Sequence, residues 1–240
     1  MHAVIRGVIF DLDGTLYRMR WFMKPLIMLR LFPHCLRLPL YLSVRDGFAG
    51  KDMDGGDRLM QALATALSRK IPRTTPPQML RWIREEFYRQ FEAVMPLMKG
   101  YRPGLADTLG RLRQKNIRLA VLSDYDAVAG RLKRLDIDTS LFDILASAEA
   151  AGSLKPSPLP FLRIAQTWGM DAKDILVIGD RKDTDGAAAA QAGMQFLQIS
   201  DTPSPAGNAR TWNDIVSYLD SLADGHAVQQ KKACSEISLA

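Results

Sequence analysis

Short apolar segments that end abruptly at polar residues are the feature that most constrains how this chain can fold. Four segments of this kind cover residues 4–10, 117–122, 175–178 and 196–199. Helical patterns flank and separate the last three, over residues 104–115, 127–135, 158–168 and 185–193. Strands that alternate with helices favour a parallel sheet with helices on both faces. The sequence therefore predicts an α/β fold, in which Gly193 ends the last of these helices.

A long segment between the first two predicted strands breaks this alternation. A simple strand–helix–strand step needs only ~30 residues, and this connection exceeds that by roughly eighty. Its clearest patterns are helical, over residues 61–68 and 79–91. We therefore predict a core formed by residues 1–17 and 99–225, an inserted helical subdomain over 18–98, and a polar tail over 226–240.

Composition excludes several classes of protein. Of the 240 residues, 47% are apolar, which is enough for a hydrophobic core and too much for a disordered chain. The two cysteines, Cys35 and Cys234, provide neither a disulfide framework nor a zinc site. Asp11 and Asp13 interrupt the first apolar run, so no signal peptide is expected. These features favour a reducing, cytoplasmic compartment.

The positive charge is concentrated in one part of the chain. The net charge is +6, but residues 18–102 hold 16 Lys and Arg against 7 Asp and Glu, so that segment carries +9 and the remainder −3. Three interpretations stay open: a solvated helical surface, capture of an anionic substrate, and contact with an anionic surface. Nucleic acid is not expected as a partner, because no binding motif accompanies the charge.

The first part of the insertion is unusually apolar. Residues 21–44 are rich in large apolar side chains, with Lys24, Arg30 and Arg37 interspersed and Arg45 directly after them. The charges and prolines recur too often for a transmembrane helix. One interpretation is a pair of helices packed on the rest of the protein. The alternative is peripheral membrane contact, or a substrate with an apolar tail such as a lipid phosphate.

Carboxylates follow two of the predicted strands directly. Asp11 and Asp13 come after the first strand, Asp180 after the third, and Ser123 after the second. Ligands of open parallel sheets bind beyond the carboxyl ends of the strands. Converging carboxylates there would need a cation, and oxygen ligands favour magnesium. The alternative is that each aspartate caps the following helix.

Lys155 lies in the turn Leu154-Lys-Pro-Ser157, just before a predicted helix. A lysine at this position would balance the carboxylates and hold a transferring phosphoryl group. The alternative is a solvated surface lysine.

Four motifs in this order resemble those of the haloacid dehalogenase-like (HAD) superfamily. They are Asp11-Leu-Asp-Gly-Thr-Leu16, Leu122-Ser-Asp124, Leu154-Lys-Pro156 and Gly179-Asp-Arg-Lys-Asp-Thr-Asp185. The resemblance covers residues 4–199 and implies a Rossmann-like core. In position, the inserted helical segment resembles the C1 cap of that superfamily. The 31 residues between Ser123 and Lys155 leave no room for a large second cap.

The resemblance also implies a role for each motif residue. Asp11 would be the nucleophile that forms an aspartyl phosphate, and Asp13 would be the acid and then the base. Ser123 and Lys155 would bind the phosphoryl group. The ligands of Mg²⁺ would be Asp11, the backbone carbonyl of Asp13, and Asp180. Two further aspartates have lesser roles: Asp185 would orient water or the metal's ligands, and Asp183 would face solvent.

The residue at position 13 separates the reaction classes within that superfamily. Its haloacid dehalogenases lack an acid there, because halide leaves without a proton. Asp13 therefore favours a phosphatase acting on a small phosphorylated metabolite. A phosphomutase, which also uses this aspartate, and a non-catalytic module that binds a phosphorylated ligand stay open as alternatives. Phosphonate hydrolysis would need a reactive cap lysine, and nothing marks Lys24, Lys51, Lys70 or Lys99 as one.

Overall fold

A computed structural model describes residues 4–98, 100–202 and 209–222. Among these, six strands form one parallel sheet in the order β3-β2-β1-β4-β5-β6. The strands are β1 (Gly7–Phe10), β2 (Arg118–Ser123), β3 (Ile144–Ser147), β4 (Ile175–Gly179), β5 (Gln195–Ile199) and β6 (Ala209–Arg210). The predicted α/β fold with a Rossmann-like parallel sheet is confirmed.

Five α-helices lie between β1 and β2, before the helix that leads into β2. They are α1 (Met23–Arg30), α2 (Arg37–Asp46), α3 (Gly56–Lys70), α4 (Pro76–Arg81) and α5 (Tyr88–Val94). A π-helical stretch, Trp82–Phe87, joins α4 to α5, so the helix predicted over 79–91 is part of a longer helical run. The division into a core and a cap at the stated bounds stays a prediction.

The remaining α-helices lie before, between or, for the last of them, after the other described strands. They are α6 (Leu105–Gln114), α7 (Val128–Arg134), α8 (Ala148–Ala151), α9 (Leu159–Trp168), α10 (Ala187–Ala192) and α11 (212–222). A π-helical turn, Lys182–Gly186, precedes α10. Gly193 ends α10 with a φ of +74°, as predicted. The predicted tail over 226–240, which includes Cys234, lies outside the described residues.

Side chains of the central strands alternate between two apolar layers. Val8 and Phe10 of β1 pack in the layer that contains α6, α7 and the helices of the insertion. Ile9 packs in the other layer, against α9 and α10. Because all three side chains are fully buried, β1 lies at the centre of the fold, and the residues that follow it are held between both layers.

A buried polar cluster joins the inserted helices to the rest of the chain. Glu149 of α8 accepts hydrogen bonds from Tyr41 (2.9 Å), Arg45 and Tyr88, which lie on α2 and α5. The oxygen that accepts from Tyr88 also accepts from the backbone N–H of Asp126 (3.2 Å), in the loop after β2. Residues 18–45 contain six Lys and Arg. One of them, Arg45, therefore forms a buried ion pair inside the protein.

None of the described helices has both the length and the apolar character that crossing a bilayer requires.

Candidate active site

The predicted site residues meet beyond the carboxyl ends of three adjacent strands. Asp11 and Asp13 follow β1, Ser123 ends β2, and Asp180 follows β4. Asp11, Asp13 and Asp180 border a cavity of about 630 Å³. Its floor includes Asp11, Asp13, Lys155, Asp180 and Asp185, whereas Met19, Arg20, Trp21 and Lys24 line it from the start of the insertion. These carboxylates therefore come from the residues that follow β1 and β4, and the start of the insertion adds basic and apolar side chains.

Asp11 is a buried carboxylate held by two donors. Lys155 Nζ donates to its Oδ1 at 2.8 Å, and Thr15 Oγ1 donates to its Oδ2 at 3.0 Å. Burial raises the pKa of Asp11 well above its ordinary value, although the positive charge of Lys155 opposes this. The nearby carboxylates of Asp185 and Asp13 raise it further. The site thus makes the anion of Asp11 costly unless more positive charge is present.

Lys155 is a buried ammonium group surrounded by acceptors. Its Nζ donates to Asp11, to Asp185 Oδ1 at 2.6 Å and to the carbonyl of Leu122 at 2.8 Å. Burial alone would lower its pKa, but Asp11 and Asp185 raise the pKa above the ordinary value for lysine. Lys155 therefore stays charged, and the interpretation of a solvated surface lysine does not describe this structure.

Asp13 is held by a different set of donors. Both of its oxygens accept from Arg131 Nη1, at 2.7 and 2.9 Å, and they also accept from Tyr17 Oη at 2.6 Å and Ser123 Oγ at 2.9 Å. Burial alone would raise the pKa of Asp13, but these donors, Arg131 foremost, bring it below its ordinary value. In this conformation Asp13 is ionised.

Ser123 lies behind Asp13 and is fully buried. Its hydroxyl donates to Asp13 and accepts from Arg131 Nη2 at 2.6 Å. A phosphoryl group would have to draw this hydroxyl away from Asp13 before Ser123 bound it. Its predicted role as a phosphate ligand stays a prediction.

Three carboxylates form a group that fits a divalent cation. Ligand oxygens of Asp11, Asp180 and Asp185 all lie within 4.8 Å of one another. Lys155 offsets one of their three charges, so two negative charges remain. Burial and the proximity of Asp185 raise the pKa of Asp180 to about 6, because its ionised form lacks sufficient compensation. A hard cation with oxygen ligands would supply the missing charge.

The close approach of two chain segments builds this carboxylate group. Gly14 has a φ of +91°, and a Cβ at that position would overlap Oδ2 of Asp180. A Cβ at Gly179 would lie 2.6 Å from the side chain of Asp185. Side chains at either position would therefore displace a carboxylate of the group.

The family assignment follows from comparison with known proteins. A family model described as haloacid dehalogenase-like hydrolase matches residues 5–193, which is most of the chain. The chain belongs to this family. The HAD-like match spans every motif residue named above, from Asp11 to Asp185.

Two curated relatives of this HAD-like hydrolase carry the same enzyme name. The phosphoglycolate phosphatases of Escherichia coli K12 and Shigella dysenteriae are each 30% identical to it over 244 residues, spanning 90% of this chain and 92% of theirs. With the family match, they confirm the prediction of a HAD-like phosphatase. A solved β-phosphoglucomutase from Clostridium difficile has the same fold, with a TM-score of 0.61, 17% identity, and coverage of 93% of this chain and 99% of its own.

Asp185 of the HAD-like hydrolase lies within the carboxylate group that fits a cation, and its predicted role of orienting water or the metal's ligands stays a prediction. The π-helical turn Lys182–Gly186 brings its buried side chain to within ligand distance of Asp11 and Asp180. Asp183, in the same turn, is 70% exposed and pairs with Arg181, which fits the prediction that it faces solvent. The backbone carbonyl of Asp13 stays a predicted metal ligand.

Several site residues had no sequence signal that marked them. Arg131, which is fully buried, is one arginine among the many of the chain, and only the fold brings it to Asp13. Tyr17 lies only four residues after Asp13, and this short separation is the one feature of the sequence that could have suggested their contact. Arg20, Trp21 and Lys24 line the cavity but belong to a segment that was interpreted by composition alone.

Metal binding should be visible in the thermal stability of the HAD-like hydrolase. Because the pKa of Asp180 is raised to about 6, its protonated form favours folding. That stabilisation is present at low pH and is lost as the pH rises through about 6. A divalent cation restores stability where Asp180 is ionised. We expect millimolar Mg²⁺ to raise Tm by about 5 °C at a pH near 7.5, and to have little effect near pH 5.

Scanning fluorimetry with MgCl₂, and with NaCl at matched ionic strength, measures this shift. Asp180→Asn should abolish the response, whereas Asp183→Asn, which removes an exposed carboxylate of the same turn, should retain it. A Mg²⁺ response that was equal in all three proteins, or independent of pH, would show that the cation binds elsewhere.

Proposed function

We propose that this HAD-like phosphatase hydrolyses the phosphate monoester of a small metabolite through an aspartyl phosphate on Asp11, with Mg²⁺ as cofactor. The observation that carries the proposal is the setting of Asp11. One of its oxygens accepts from Lys155, and its carboxylate belongs to the group that fits a divalent cation. A second acid, Asp13, lies two residues away at the same cavity.

The reaction on Asp11 proceeds in two displacements. In the first, an oxygen of Asp11 bonds to phosphorus, the ester P–O bond breaks, and Asp13 gives a proton to the departing oxygen. In the second, Asp13 takes a proton from water as the water oxygen bonds to phosphorus. The bond between phosphorus and Asp11 then breaks, which releases inorganic phosphate, regenerates the Asp11 carboxylate and leaves Asp13 protonated for the next cycle.

Positive charge must surround the phosphoryl group throughout. Mg²⁺, when bound by Asp11, Asp180 and Asp185, supplies charge that offsets the repulsion between the anionic nucleophile and the anionic phosphate. Lys155 contributes an ammonium group that already contacts the nucleophile. Because Lys155 also donates to Asp185, it holds the nucleophile and a cation ligand in a fixed relation.

The donors around Asp13 suit one of its two roles better than the other. Arg131 and Tyr17 keep the carboxylate ionised, which fits the base that activates water. The acid step requires a proton on Asp13. The ion pair between Arg131 and Asp13 must therefore weaken once an anionic substrate occupies the cavity, so that the pKa of Asp13 can rise. Ser123, which bonds both residues, is placed to respond to the phosphoryl group.

Phosphoglycolate is the first substrate to test. The relatives at 30% identity are phosphoglycolate phosphatases. A phosphate ester with a second anionic group also fits the exposed cations Arg20 and Lys24, which line the cavity on the side of the insertion. Phosphoryl transfer to a second substrate, as in a phosphomutase, is the alternative, since that reaction uses Asp13 as well. We also propose that the protein acts in the cytoplasm, as the sequence predicts.

The test is Mg²⁺-dependent release of inorganic phosphate from phosphoglycolate, p-nitrophenyl phosphate and a panel of sugar phosphates. We expect release that EDTA abolishes and that added Mg²⁺ restores. An isomeric sugar phosphate formed without free phosphate would identify a mutase. Binding of these esters without any turnover would instead favour a non-catalytic module.

A further inference from the structure

Helix α1 is apolar on two opposite faces. Met23 and Ile27, with Leu31 just beyond the helix, are buried at the spacing of one helical face. A second set recurs at four-residue and three-residue steps along the opposite face and is exposed. We call this set the outer stripe, and its members are Trp21, Pro25, Leu29 and Phe32.

The outer stripe exposes large side chains to an unusual degree. Trp21 is 87% exposed, Leu29 72% and Phe32 77%, and Leu36, at the start of α2, is 70% exposed. A helix that is apolar all round normally has both faces covered. Several large apolar side chains exposed within one short segment are typical of an interaction site.

The segment of sequence that carries the outer stripe has charges of a single sign. Residues 14–45 contain six Lys and Arg and not one Asp or Glu. Arg20, Lys24 and Arg30 are exposed beside the stripe. Three acidic side chains from elsewhere pair with residues of this segment other than Arg20, Lys24 and Arg30: Asp201 lies 3.3 Å from Arg18, Glu86 lies 3.5 Å from His34, and Glu149 bonds the buried Arg45. The partner must therefore accept apolar side chains and carry negative charge.

We propose that the outer stripe docks this protein on the surface of an anionic phospholipid bilayer. Helices that lie in the bilayer interface combine large apolar side chains on one face with flanking lysine and arginine, and tryptophan is enriched at that depth. Anionic headgroups attract such cations. A second copy of the chain fits less well, because it would bring the same positive charges against one another.

Docking through this face would bring the active-site cavity to the bilayer surface. Trp21 belongs to the outer stripe and also lines the cavity, as do Arg20 and Lys24. The stripe and the cavity mouth are therefore continuous. The docking proposal does not depend on the reaction proposed above, because a membrane-bound protein can act on either a soluble or a lipid-linked phosphate.

Vesicle co-sedimentation of the full chain tests the proposal. We expect binding to vesicles with about 30% phosphatidylglycerol to exceed binding to pure phosphatidylcholine by about tenfold, and to weaken as salt is added. The double variant Leu29→Gln/Phe32→Gln should lose about tenfold or more in vesicle affinity. It should keep the parent's phosphatase activity on a soluble ester, because neither residue lines the cavity. The matched control is Leu162→Gln, an exposed leucine of α9, which should bind as the parent does.

Tryptophan fluorescence gives a second readout that reports on the stripe itself. Of the four tryptophans, Trp82 and Trp212 are buried and Trp168 is half-buried, so Trp21 is the one exposed to a quencher. Anionic vesicles containing brominated lipid should quench it. Absence of vesicle binding by the parent, or equal binding by the double variant, would overturn the proposal. A concentration-dependent dimer lost in the double variant would assign the face to a second copy and overturn it as well.

Discussion

Asparagine in place of Asp11 is expected to lower kcat by about 10⁴-fold or more on every phosphate ester that the parent hydrolyses. The substitution keeps the size of the side chain but removes the anionic oxygen that bonds to phosphorus. Nucleophile removal in enzymes with a covalent intermediate has effects of this order. The acyl phosphate should disappear together with turnover, which acid quenching and mass spectrometry of the Asp11 peptide would show.

Two measurements separate chemistry from folding in this experiment. Lys155 loses a charged partner in Asp11→Asn but keeps Asp185, so the fold should survive. Thermal unfolding checks that directly. Asp183→Asn is the matched control, because it makes the same chemical change at an aspartate that is exposed and pairs with Arg181. Phosphate release by Asp11→Asn at more than a tenth of the parent's rate would exclude the covalent mechanism.

The sequence revealed the elements whose signal is local. β1, β2 and β4 are continuous apolar runs because both faces of a central parallel strand are buried, and each ends at a motif residue. The sequence did not predict β3, because this strand is four residues long and only partly buried at the edge of the sheet. Two-residue β6 gives no pattern to recognise.

Contacts between distant residues were beyond reach for a different reason. Arg131 is 118 positions from Asp13, and α7 has several basic residues with equal claims by composition. The conformation of the turn Lys182–Gly186 places Asp185 beside the carboxylates of Asp11 and Asp180, and it leaves Asp183 exposed to solvent. A run of acidic residues does not encode that choice.

The charge of the insertion shows how far composition can mislead. Its excess of +9 left a basic surface open as an interpretation, and Arg30, Arg37 and Arg45 contribute three of its positive charges. In the structure, Arg45 is buried against Glu149, and Arg37 lies over the ring of Trp82 at 5.9 Å. Arg30 is exposed. Arg45 is therefore unavailable to a ligand or a membrane, whereas Arg20, Lys24 and Arg30 near α1 are exposed.

The effect of removing Asp13 should depend on the leaving group. An alkoxide needs a proton as it departs, whereas p-nitrophenolate leaves as a stable anion. We expect Asp13→Asn to slow formation of the aspartyl phosphate by about 10³-fold on an alkyl phosphate such as phosphoglycolate. On p-nitrophenyl phosphate the same step should slow by about tenfold or less. Steady-state rates would hide this contrast, because Asp13 also activates water in the second step for both substrates.

Single-turnover measurement of leaving-group release isolates the first step. Loss of Asp13 also leaves Arg131 buried without its ion pair, which typically costs about 3–5 kcal/mol in folding. The double variant Asp13→Asn/Arg131→Met removes that cost, and it should show the same contrast between leaving groups. If both substrates slowed equally in both variants, Asp13 would serve to position other groups in the site rather than to protonate the departing oxygen. If only the double variant kept the contrast, the unpaired guanidinium would explain the behaviour of the single variant. The pair of proteins thus separates proton transfer by Asp13 from the electrostatic hold that Arg131 exerts on it.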